Sequence, residues 1–117
     1  MNKRYRLQKN RDFQWVYRRG KSFACPGMVL LALKRNGSVL RAGFSVSKKI
    51  GGSVKRNRVK RLMRENFRHE IPQIKPGYYL VLVAREPLAR MDYAQVGQAM
   101  RGLLRRGGLL KGGSGRA

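Results

Sequence analysis

Side chains able to perform acid–base or nucleophilic chemistry are few and scattered in this chain. Among 117 residues there are five acids, one histidine and one cysteine. A metal-dependent nuclease needs clustered carboxylates, whereas these acids stand apart and mostly beside basic residues: Asp12, Glu65, Glu70, Glu86 and Asp92. The single His69 excludes a pair of catalytic imidazoles. We therefore expect no catalytic residue in the protein and no metal ion held by a cluster of its ligands.

The cysteine content and the apolar runs indicate a compartment. Cys25 is the only cysteine, so no intramolecular disulfide can form and a reducing cytoplasm is the natural environment. The longest apolar run, Tyr78 to Ala84, is far too short to cross a membrane. The basic N-terminus is not followed by an apolar stretch, so we expect no secretory signal.

The net charge is the most informative feature of the composition. Lys and Arg total 28 against five acids, which gives a formal net charge of +23. Like charges at this density destabilise a compact state, so a polyanionic partner is expected to neutralise them. Nucleic acid fits, because counterion release drives its binding to basic proteins. An anionic membrane surface is the alternative, but neither terminus carries a lipidation signal.

The segment from Lys48 to Arg68 concentrates this charge, since nine of its 21 residues are Lys or Arg. On a helical wheel, one side is apolar: Val59, Leu62, Met63 and Phe67. The opposite side carries Asn57, Arg61, Arg64 and Arg68, with Lys60 at its edge. Such a row of repelling cations predicts contact with phosphates. The alternative is a merely solvated face, although solvated faces usually mix both signs of charge.

Two further segments suit an RNA ligand. Lys48, Lys49, Gly51 and Gly52 precede a helix N-terminus, where free N–H groups favour an anion; a simple turn is the alternative, and the spacing is not that of an ATP-binding loop. The basic N-terminal region is interleaved with Tyr5, Phe13, Trp15 and Tyr17. Aromatic rings among cations suit unstacked bases of single-stranded RNA, unless Phe13 and Tyr17 only fix the helix to the core.

The elements that must position these residues follow from periodicity and turn signals. We expect a helix over 11–19 capped by Asn10, a strand over 22–34 broken at Pro26–Gly27, and a hairpin turn at Asn36–Gly37 leading into a strand over 39–47. A helix over 54–70 with Ser53 as N-cap, a buried strand over 78–84 and a helix starting at Asp92 with a Gln95 capping box complete the order.

This order predicts the fold class and the domain boundaries. Helix, strands, helix, strand, helix is typical of an α/β or α+β sandwich in which helices cover a sheet. The length suits one domain, which we place at residues 1–106. The glycines after residue 106 predict a mobile tail over 107–117.

Three segments of the chain resemble the protein subunit of bacterial ribonuclease P. The first runs from Phe44 to Gly51 and continues from Lys55 to Glu65, and it includes Arg56-Asn57-Arg58, which is similar to that family's Arg-Asn-Arg motif. The start of the chain, from Arg6-Leu7 through Asp12-Phe13 to Gly20, and the strand from Tyr79 to Arg85 are the other two. The resemblance spans nearly the whole chain apart from the glycine-rich tail.

The resemblance implies a fold and an activity. The fold would be an α+β two-layer sandwich, with a mixed sheet of about four strands, three helices and a left-handed βαβ crossover, where the general rule favours the right-handed one. The holoenzyme would be an endoribonuclease in which a large RNA, using magnesium that the RNA holds, removes the 5′ leader of precursor tRNA. The protein would be a monomeric cofactor that binds this RNA and the leader.

The resemblance also implies site residues. The RNA-binding surface would comprise Ser47, Lys48, Lys49, Arg56, Asn57, Arg58, Lys60, Arg61, Arg64 and Arg68. The cleft for the single-stranded leader would comprise Lys9, Phe13, Tyr17, Val29 and Leu31. Tyr17 stands where relatives often carry Phe, a change that preserves stacking, and Leu31 replaces an aromatic residue found in some members. A ribosomal-type structural RNA-binding protein is the alternative function, and a nuclease acting without RNA is the third.

Overall fold

The computed structural model describes residues 3–111. As the sequence predicts, these residues form an α+β fold with three α-helices and a four-stranded mixed sheet. In chain order the elements are α1 (Asn10–Arg19), β1 (Lys21–Cys25), β2 (Met28–Lys34), β3 (Leu40–Val46), α2 (Ser53–Glu70), β4 (Tyr78–Ala84) and α3 (Tyr93–Arg106). Short 3-10 turns lie between several of these elements, including one over Lys48–Ile50 just before α2.

The order of strands in the sheet is β1-β2-β4-β3. The predicted break at Pro26–Gly27 is confirmed, because β1 and β2 pair antiparallel across it. The predicted hairpin at Asn36–Gly37 is wrong. Gly37 does turn the chain with a positive φ of 81°, but β4 lies between β2 and β3, pairing antiparallel with the first and parallel with the second. The turn therefore spans two strand spacings instead of one.

The parallel pair β3 and β4 is joined through α2, so the three elements form a βαβ crossover. The end of β3 at Val46 is separated from the start of α2 at Ser53 only by a short 3-10 turn. This places the 3-10 turn at Lys48–Ile50 and the first turn of α2 at the same end of the sheet, beside Val46 and Ala84. The left-handed sense implied by the family resemblance stays a prediction.

Side chains alternate between two faces of the sheet and form two apolar clusters. Leu30 on β2 and Leu80 and Leu82 on β4 face the larger cluster, to which α2 and α3 contribute. Val81 on β4 faces the smaller cluster on the opposite face, where it meets Val16 of α1. The helix carrying the basic row and the helix carrying the aromatic residues thus pack on opposite faces of one sheet.

The helix starts test the predicted caps. The capping box of α3 is confirmed: the Asp92 carboxylate accepts a hydrogen bond from the Gln95 backbone N–H at 2.8 Å, and the Asp92 N–H donates to the Gln95 side chain at 2.9 Å. The other two caps are displaced by one residue. Lys9 and Gly52 occupy the N-cap positions of α1 and α2, and neither helix has a side-chain cap.

Residues 107–111, the first part of the predicted mobile tail, include two buried leucines. Leu109 and Leu110 are buried in the larger cluster with 1% and 8% of their surface exposed. The Leu109 carbonyl accepts a hydrogen bond from the Lys75 N–H at 2.7 Å, and Leu110 forms a bridge with Ile74. Residues 112–117, on which the rest of that prediction falls, lie outside the described residues.

A buried polar side chain, Asn66, joins α2 to α3. Only 4% of its surface is exposed. Its side-chain NH₂ donates to the Leu62 carbonyl at 3.0 Å and to the Tyr93 carbonyl at 3.2 Å. Gly97 leaves room for it, because a Cβ there would approach the Asn66 Oδ1 to 2.6 Å. Asn66 therefore fixes the position of α2 relative to α3.

Asn66→Ala is expected to lower the free energy of unfolding by about 1–3 kcal/mol, because the Tyr93 carbonyl would be left without its buried donor. Urea unfolding followed by circular dichroism would measure the change. The matched control is Asn57→Ala in the exposed part of the same helix, where we expect a change within about 0.5 kcal/mol. Equal effects of the two substitutions would contradict the role of Asn66.

Candidate nucleic-acid interface

Helix α2 is anchored by its apolar side, as the wheel predicts. Val59, Met63 and Phe67 are fully buried, and Leu62 is partly buried against the same cluster. The Phe67 ring packs edge-on against Phe44 of β3 with their centroids 5.8 Å apart. A helix held in this way cannot rotate about its axis, so the direction of its basic side chains is fixed.

The opposite side of α2 is basic, but its exposure is uneven. Asn57, Arg58, Arg61 and Arg68 are exposed, whereas Arg56, Lys60 and Arg64 are half-buried. Long basic side chains can bury their aliphatic parts and still keep a charged end in solvent. The cations therefore form a broad strip around the outer half of the helix rather than a single line.

The N-terminal end of α2 adds an opening for an anion. Ser47, Lys48 and Lys49 are all exposed on the preceding 3-10 turn, and the Ser47 Oγ accepts from the Lys49 N–H at 3.2 Å. Gly51 has a φ of 151°, and Gly52 provides no side-chain cap for the first N–H groups of the helix. Uncapped N–H groups and two lysines at one helix start favour a bound phosphate.

The first arginine of the Arg56-Asn57-Arg58 segment has an unsatisfied nitrogen. Arg56 Nε is buried and has no hydrogen-bond partner among residues 3–111. Buried polar atoms are nearly always paired, so Arg56 carries an unsatisfied buried donor within the described part of the chain. Arg58 is partly engaged, since its guanidinium donates to the Ala89 carbonyl at 3.4 Å.

Arg68 differs from the other predicted RNA-binding cations because it has an acidic partner among the described residues. Its guanidinium donates to the Glu65 carboxylate at 2.7 Å. That hydrogen bond raises the pKa of Arg68 and lowers the pKa of Glu65. Because the pKa of Glu65 is lowered in the folded protein, the pair is intact at neutral pH and is lost as the pH falls through that lowered value. At neutral pH, Arg68 is thus partly neutralised.

A small pocket connects α2 with α1. Its volume is about 180 Å³, and its lining includes Phe13 on one side and Lys60 and Arg64 on the other. Gly43 of β3 makes room for the Phe13 ring, because a Cβ at Gly43 would overlap the end of that ring. The fold therefore brings an aromatic ring of the predicted leader cleft against two cations of the predicted RNA-binding strip, which the sequence assigned to separate surfaces.

The remaining leader-cleft residues are distributed around α1 and β2. Leu31 packs with Phe13 in the smaller apolar cluster. Val29 faces the same side of the sheet by strand alternation and is half-buried, but it does not belong to that cluster. Tyr17 has 44% of its surface exposed, and Lys9 is exposed at the N-cap of α1. The open part of this face thus combines an apolar surface with the exposed ring of Tyr17 and the exposed ammonium group of Lys9.

An aromatic–guanidinium stack was missed by the sequence reasoning. The Arg35 guanidinium lies 4.6 Å from the centroid of the Trp15 ring and 5.1 Å from that of Tyr79. Trp15 points away from Phe13 and Tyr17 on α1, and no local pattern links it to residues 20 and 64 positions further along the chain. Only the pairing of β2 with β4 next to α1 assembles these three side chains.

The described residues contain neither a cluster of metal ligands nor a membrane-spanning helix. Within residues 3–111, no three His, Cys, Asp or Glu side chains are grouped so that they could hold a metal ion. Four of the acids are paired or capping: Glu65 with Arg68, Glu70 with Arg101 at 3.2 Å, Glu86 with Arg90 at 4.0 Å, and Asp92 at the start of α3. None of the helices in this part of the chain is long and apolar enough to cross a membrane.

Comparison with protein families gives one consistent result. The family model described as Ribonuclease P matches residues 1–108. The ribonuclease P protein component of Listeria monocytogenes serotype 4a (strain HCC23) is 47% identical over 112 residues, covering 95% of this chain and 94% of the relative. The corresponding component of Geobacillus kaustophilus (strain HTA426) is 45% identical over 115 residues, covering 97% and 95%.

Solved structures agree with the sequence relatives. The RNase P protein of Staphylococcus aureus superposes with a TM-score of 0.82 at 34% identity, covering 92% of this chain and 98% of that one. The RNase P protein of Thermotoga maritima gives a TM-score of 0.79 at 33% identity, covering 86% and 96%.

Proposed function

Since this chain belongs to the bacterial ribonuclease P protein family, and is therefore a subunit of the endoribonuclease ribonuclease P, we propose that it binds two RNAs. One is the catalytic RNA of that ribonucleoprotein, and the other is the single-stranded 5′ leader of precursor tRNA. By holding both, the protein would promote maturation of the tRNA 5′ end. It would act as a monomer in the cytoplasm.

The observation that carries this proposal is the basic strip on α2, held rigidly by a buried apolar side. The catalytic RNA would contact the strip and the adjoining turn through Ser47, Lys48, Lys49, Arg56, Asn57, Arg58, Lys60, Arg61, Arg64 and Arg68. Arg68 would contribute less than the others while Glu65 holds it.

The leader would lie on the face of the sheet next to α1, in contact with Lys9, Phe13, Tyr17, Val29 and Leu31. Phe13 and Tyr17 would stack on unpaired bases, and Lys9 would neutralise a phosphate. The pocket that Phe13 shares with Lys60 and Arg64 supports this placement. It would set the leader directly beside the catalytic RNA bound on α2.

The proposed division of labour assigns the cutting to the RNA. Magnesium would be held mainly by the RNA, whose phosphates are hard oxygen ligands of the kind that this ion prefers. The protein would neutralise phosphate charge and so lower the amount of magnesium needed. The acids Glu65, Glu70 and Asp92 support this division, because each already serves a basic side chain or a helix start.

A ribosomal-type structural RNA-binding protein is the competing function, since it would share the charge and the fold class. Expression of the tagged full chain in a bacterium, followed by sequencing of the RNA that co-purifies in 0.3 M salt, would separate the two. We expect a ribonuclease P RNA and precursor tRNAs to be enriched. Enrichment of ribosomal RNA within intact particles would favour the alternative instead.

The Glu65–Arg68 pair predicts that one substitution increases the affinity for the catalytic RNA, where most substitutions on this surface would decrease it. Glu65→Gln should strengthen binding of the catalytic RNA, because it frees the Arg68 guanidinium and removes a negative charge near phosphates. If Arg68 then makes one new phosphate contact, the slope of log K against log salt steepens by about 0.9. Filter binding at several salt concentrations would measure both quantities.

The control for this prediction is Glu86→Gln, which removes the same charge from a looser exposed pair, with 4.0 Å between Glu86 and Arg90. A general effect of net charge would strengthen binding equally in both variants. That outcome would remove the specific role given to Arg68.

A further inference from the structure

A second concave basic site lies at the end of the sheet remote from the N-terminus of α2. The cavity, called here the rim cavity, has a volume of about 300 Å³. Its walls include the rings of Phe23 and Tyr78 and the side chains of Arg19, Lys21 and Lys34. None of the residues assigned above to the catalytic RNA or to the leader lines it.

The register of the strands fixes the position of the rim cavity. Tyr78 begins β4 and pairs with Lys34 at the end of β2, while Lys21 at the start of β1 pairs with Ala32. The other end of β4, next to Lys48 and the start of α2, is six residues away, or about 20 Å at the usual rise per strand residue. The rim cavity is thus a separate place from the Arg56-Asn57-Arg58 segment.

The charges of the rim cavity have no acidic partner among residues 3–111. Arg19, Lys21 and Lys34 are exposed, and no acidic side chain lines the cavity. All three ion pairs found among residues 3–111 lie elsewhere. In a chain of charge +23, unpaired cations alone do not indicate a binding site. Here three of them surround a cavity whose walls also include two aromatic rings. That combination suits a ligand with both a flat ring and a phosphate.

The opposite face of the same rim carries a related arrangement. Arg35 and Tyr79 follow Lys34 and Tyr78 in sequence, so strand alternation turns them to the other face, where Arg35 stacks on Trp15 and Tyr79. Trp15 keeps 39% of its surface exposed. Cations and rings therefore continue around the end of the sheet, as they do along grooves that bind single-stranded nucleic acid.

We propose that the rim cavity binds an unpaired ribonucleotide, with its base against Phe23 and Tyr78 and its phosphates on Arg19, Lys21 and Lys34. A volume of about 300 Å³ is at the small end for ligand sites and suits one nucleotide rather than a double helix. The nucleotide belongs either to the catalytic RNA or to precursor tRNA. Both offer the same chemistry, an unstacked base with its phosphates, and the experiment below distinguishes them.

The first test uses a fluorescent hexauridylate and the full chain. Lys21→Ala combined with Lys34→Ala should weaken its binding about tenfold and reduce the salt slope by about 1.4, which is two contacts at about 0.7 each for single strands. Lys21→Arg with Lys34→Arg should retain binding. The matched control, Lys75→Ala with Arg105→Ala, removes the same charge from exposed positions outside the cavity. Equal losses in the control and the cavity variant would overturn the proposal.

The second test locates the contact and does not depend on a substitution. Hexauridylate containing 4-thiouridine would be cross-linked to the wild-type chain, and the adducts mapped by mass spectrometry. Adducts mapped to the Phe23 or Tyr78 side chain itself support the proposal. Adducts confined to the peptide of Phe13 and Tyr17 would overturn it, while leaving the leader cleft intact as a proposal.

The third test identifies the source of the nucleotide in the reconstituted holoenzyme. The Lys21/Lys34 double alanine variant should lose affinity either for the catalytic RNA, measured without substrate, or for precursor tRNA, measured with the holoenzyme already formed. The first result assigns the nucleotide to the catalytic RNA and the second to the precursor. Unchanged values in both measurements would mean that the cavity contacts neither RNA, which contradicts the proposal.

Discussion

Replacing Arg61 and Arg64 together with alanine is expected to lower the affinity for the catalytic RNA about 100-fold at moderate salt. The estimate assigns one charge-assisted hydrogen bond of about 1.5–3 kcal/mol to each guanidinium, which corresponds to roughly tenfold or more per side chain. The slope of log K against log salt should fall by about 0.9 for each lost contact. Filter binding of the RNA subunit without substrate, at four or five salt concentrations, measures both.

The controls for this prediction separate phosphate contact from folding and from general charge. Lys75→Ala with Arg105→Ala removes the same two charges from exposed positions outside α2 and outside the assigned RNA-binding residues, and it should change the affinity much less. Circular dichroism should give the same spectrum for all variants, because the anchoring residues Val59, Met63 and Phe67 are untouched. An unchanged salt slope in the Arg61/Arg64 variant would show that these side chains do not contact phosphates.

Removing the Phe13 ring should weaken binding of precursor tRNA to the holoenzyme about tenfold and leave binding of mature tRNA unchanged. Stacking of a base on an aromatic side chain contributes about 1–3 kcal/mol, and only the precursor carries the leader. The ring also packs in the smaller apolar cluster, so Phe13→Ala alone could act through folding. Tyr17→Ala is therefore the companion variant, because Tyr17 is 44% exposed and belongs to neither cluster.

A third variant tests the position of the ring rather than its presence. In Gly43→Ala the new Cβ would overlap the end of the Phe13 ring, so the ring must move while its chemistry is retained. We expect precursor binding to weaken as in Phe13→Ala. Fluorescence titration with labelled precursor and mature tRNA would measure the difference. Equal losses for the two tRNAs in all three variants would contradict stacking on the leader.

Local signals in the sequence predicted the elements well because each depends on neighbours along the chain. The apolar run from Tyr78 to Ala84 is β4, the buried strand that lies between β2 and β3. The Asp92–Gln95 capping box lies within four residues and is found as predicted. The wheel of α2 gave the correct buried side, since helical periodicity alone fixes which residues share a face.

Contacts between distant parts of the chain could not be predicted in this way. Asn36–Gly37 carries a strong hairpin signal, but a turn sequence contains no information about β4, which inserts between the two strands that the turn connects. The burial of Leu109 and Leu110 depends on contacts with Ile74 and the larger cluster, so it could not be predicted from two leucines among glycines. The family resemblance implied a mixed sheet of about four strands with a βαβ crossover, which periodicity does not determine, whereas the strand order was not predicted.

In the candidate site, too, local features could be predicted from the sequence and contacts between distant residues could not. Clustering of cations on α2 was visible in the sequence, whereas the pairing of Arg68 with Glu65 is decided by side-chain geometry. The pocket that joins Phe13 to Lys60 and Arg64 requires α1 and α2 to meet at β3, and it depends on the absence of a side chain at Gly43. The Trp15–Arg35–Tyr79 stack joins three elements and has no signature in any one of them.

Cleavage of a precursor tRNA at low magnesium tests most directly the claim that the protein holds RNA and does not cut it. Three reactions would be compared: the RNA subunit alone, the protein alone, and both together. We predict slow cleavage by the RNA alone, none by the protein alone, and much faster cleavage by the mixture, because cations on α2 replace part of the magnesium that screens the phosphates. Cleavage by the protein alone, or a mixture no faster than the RNA, would contradict the account.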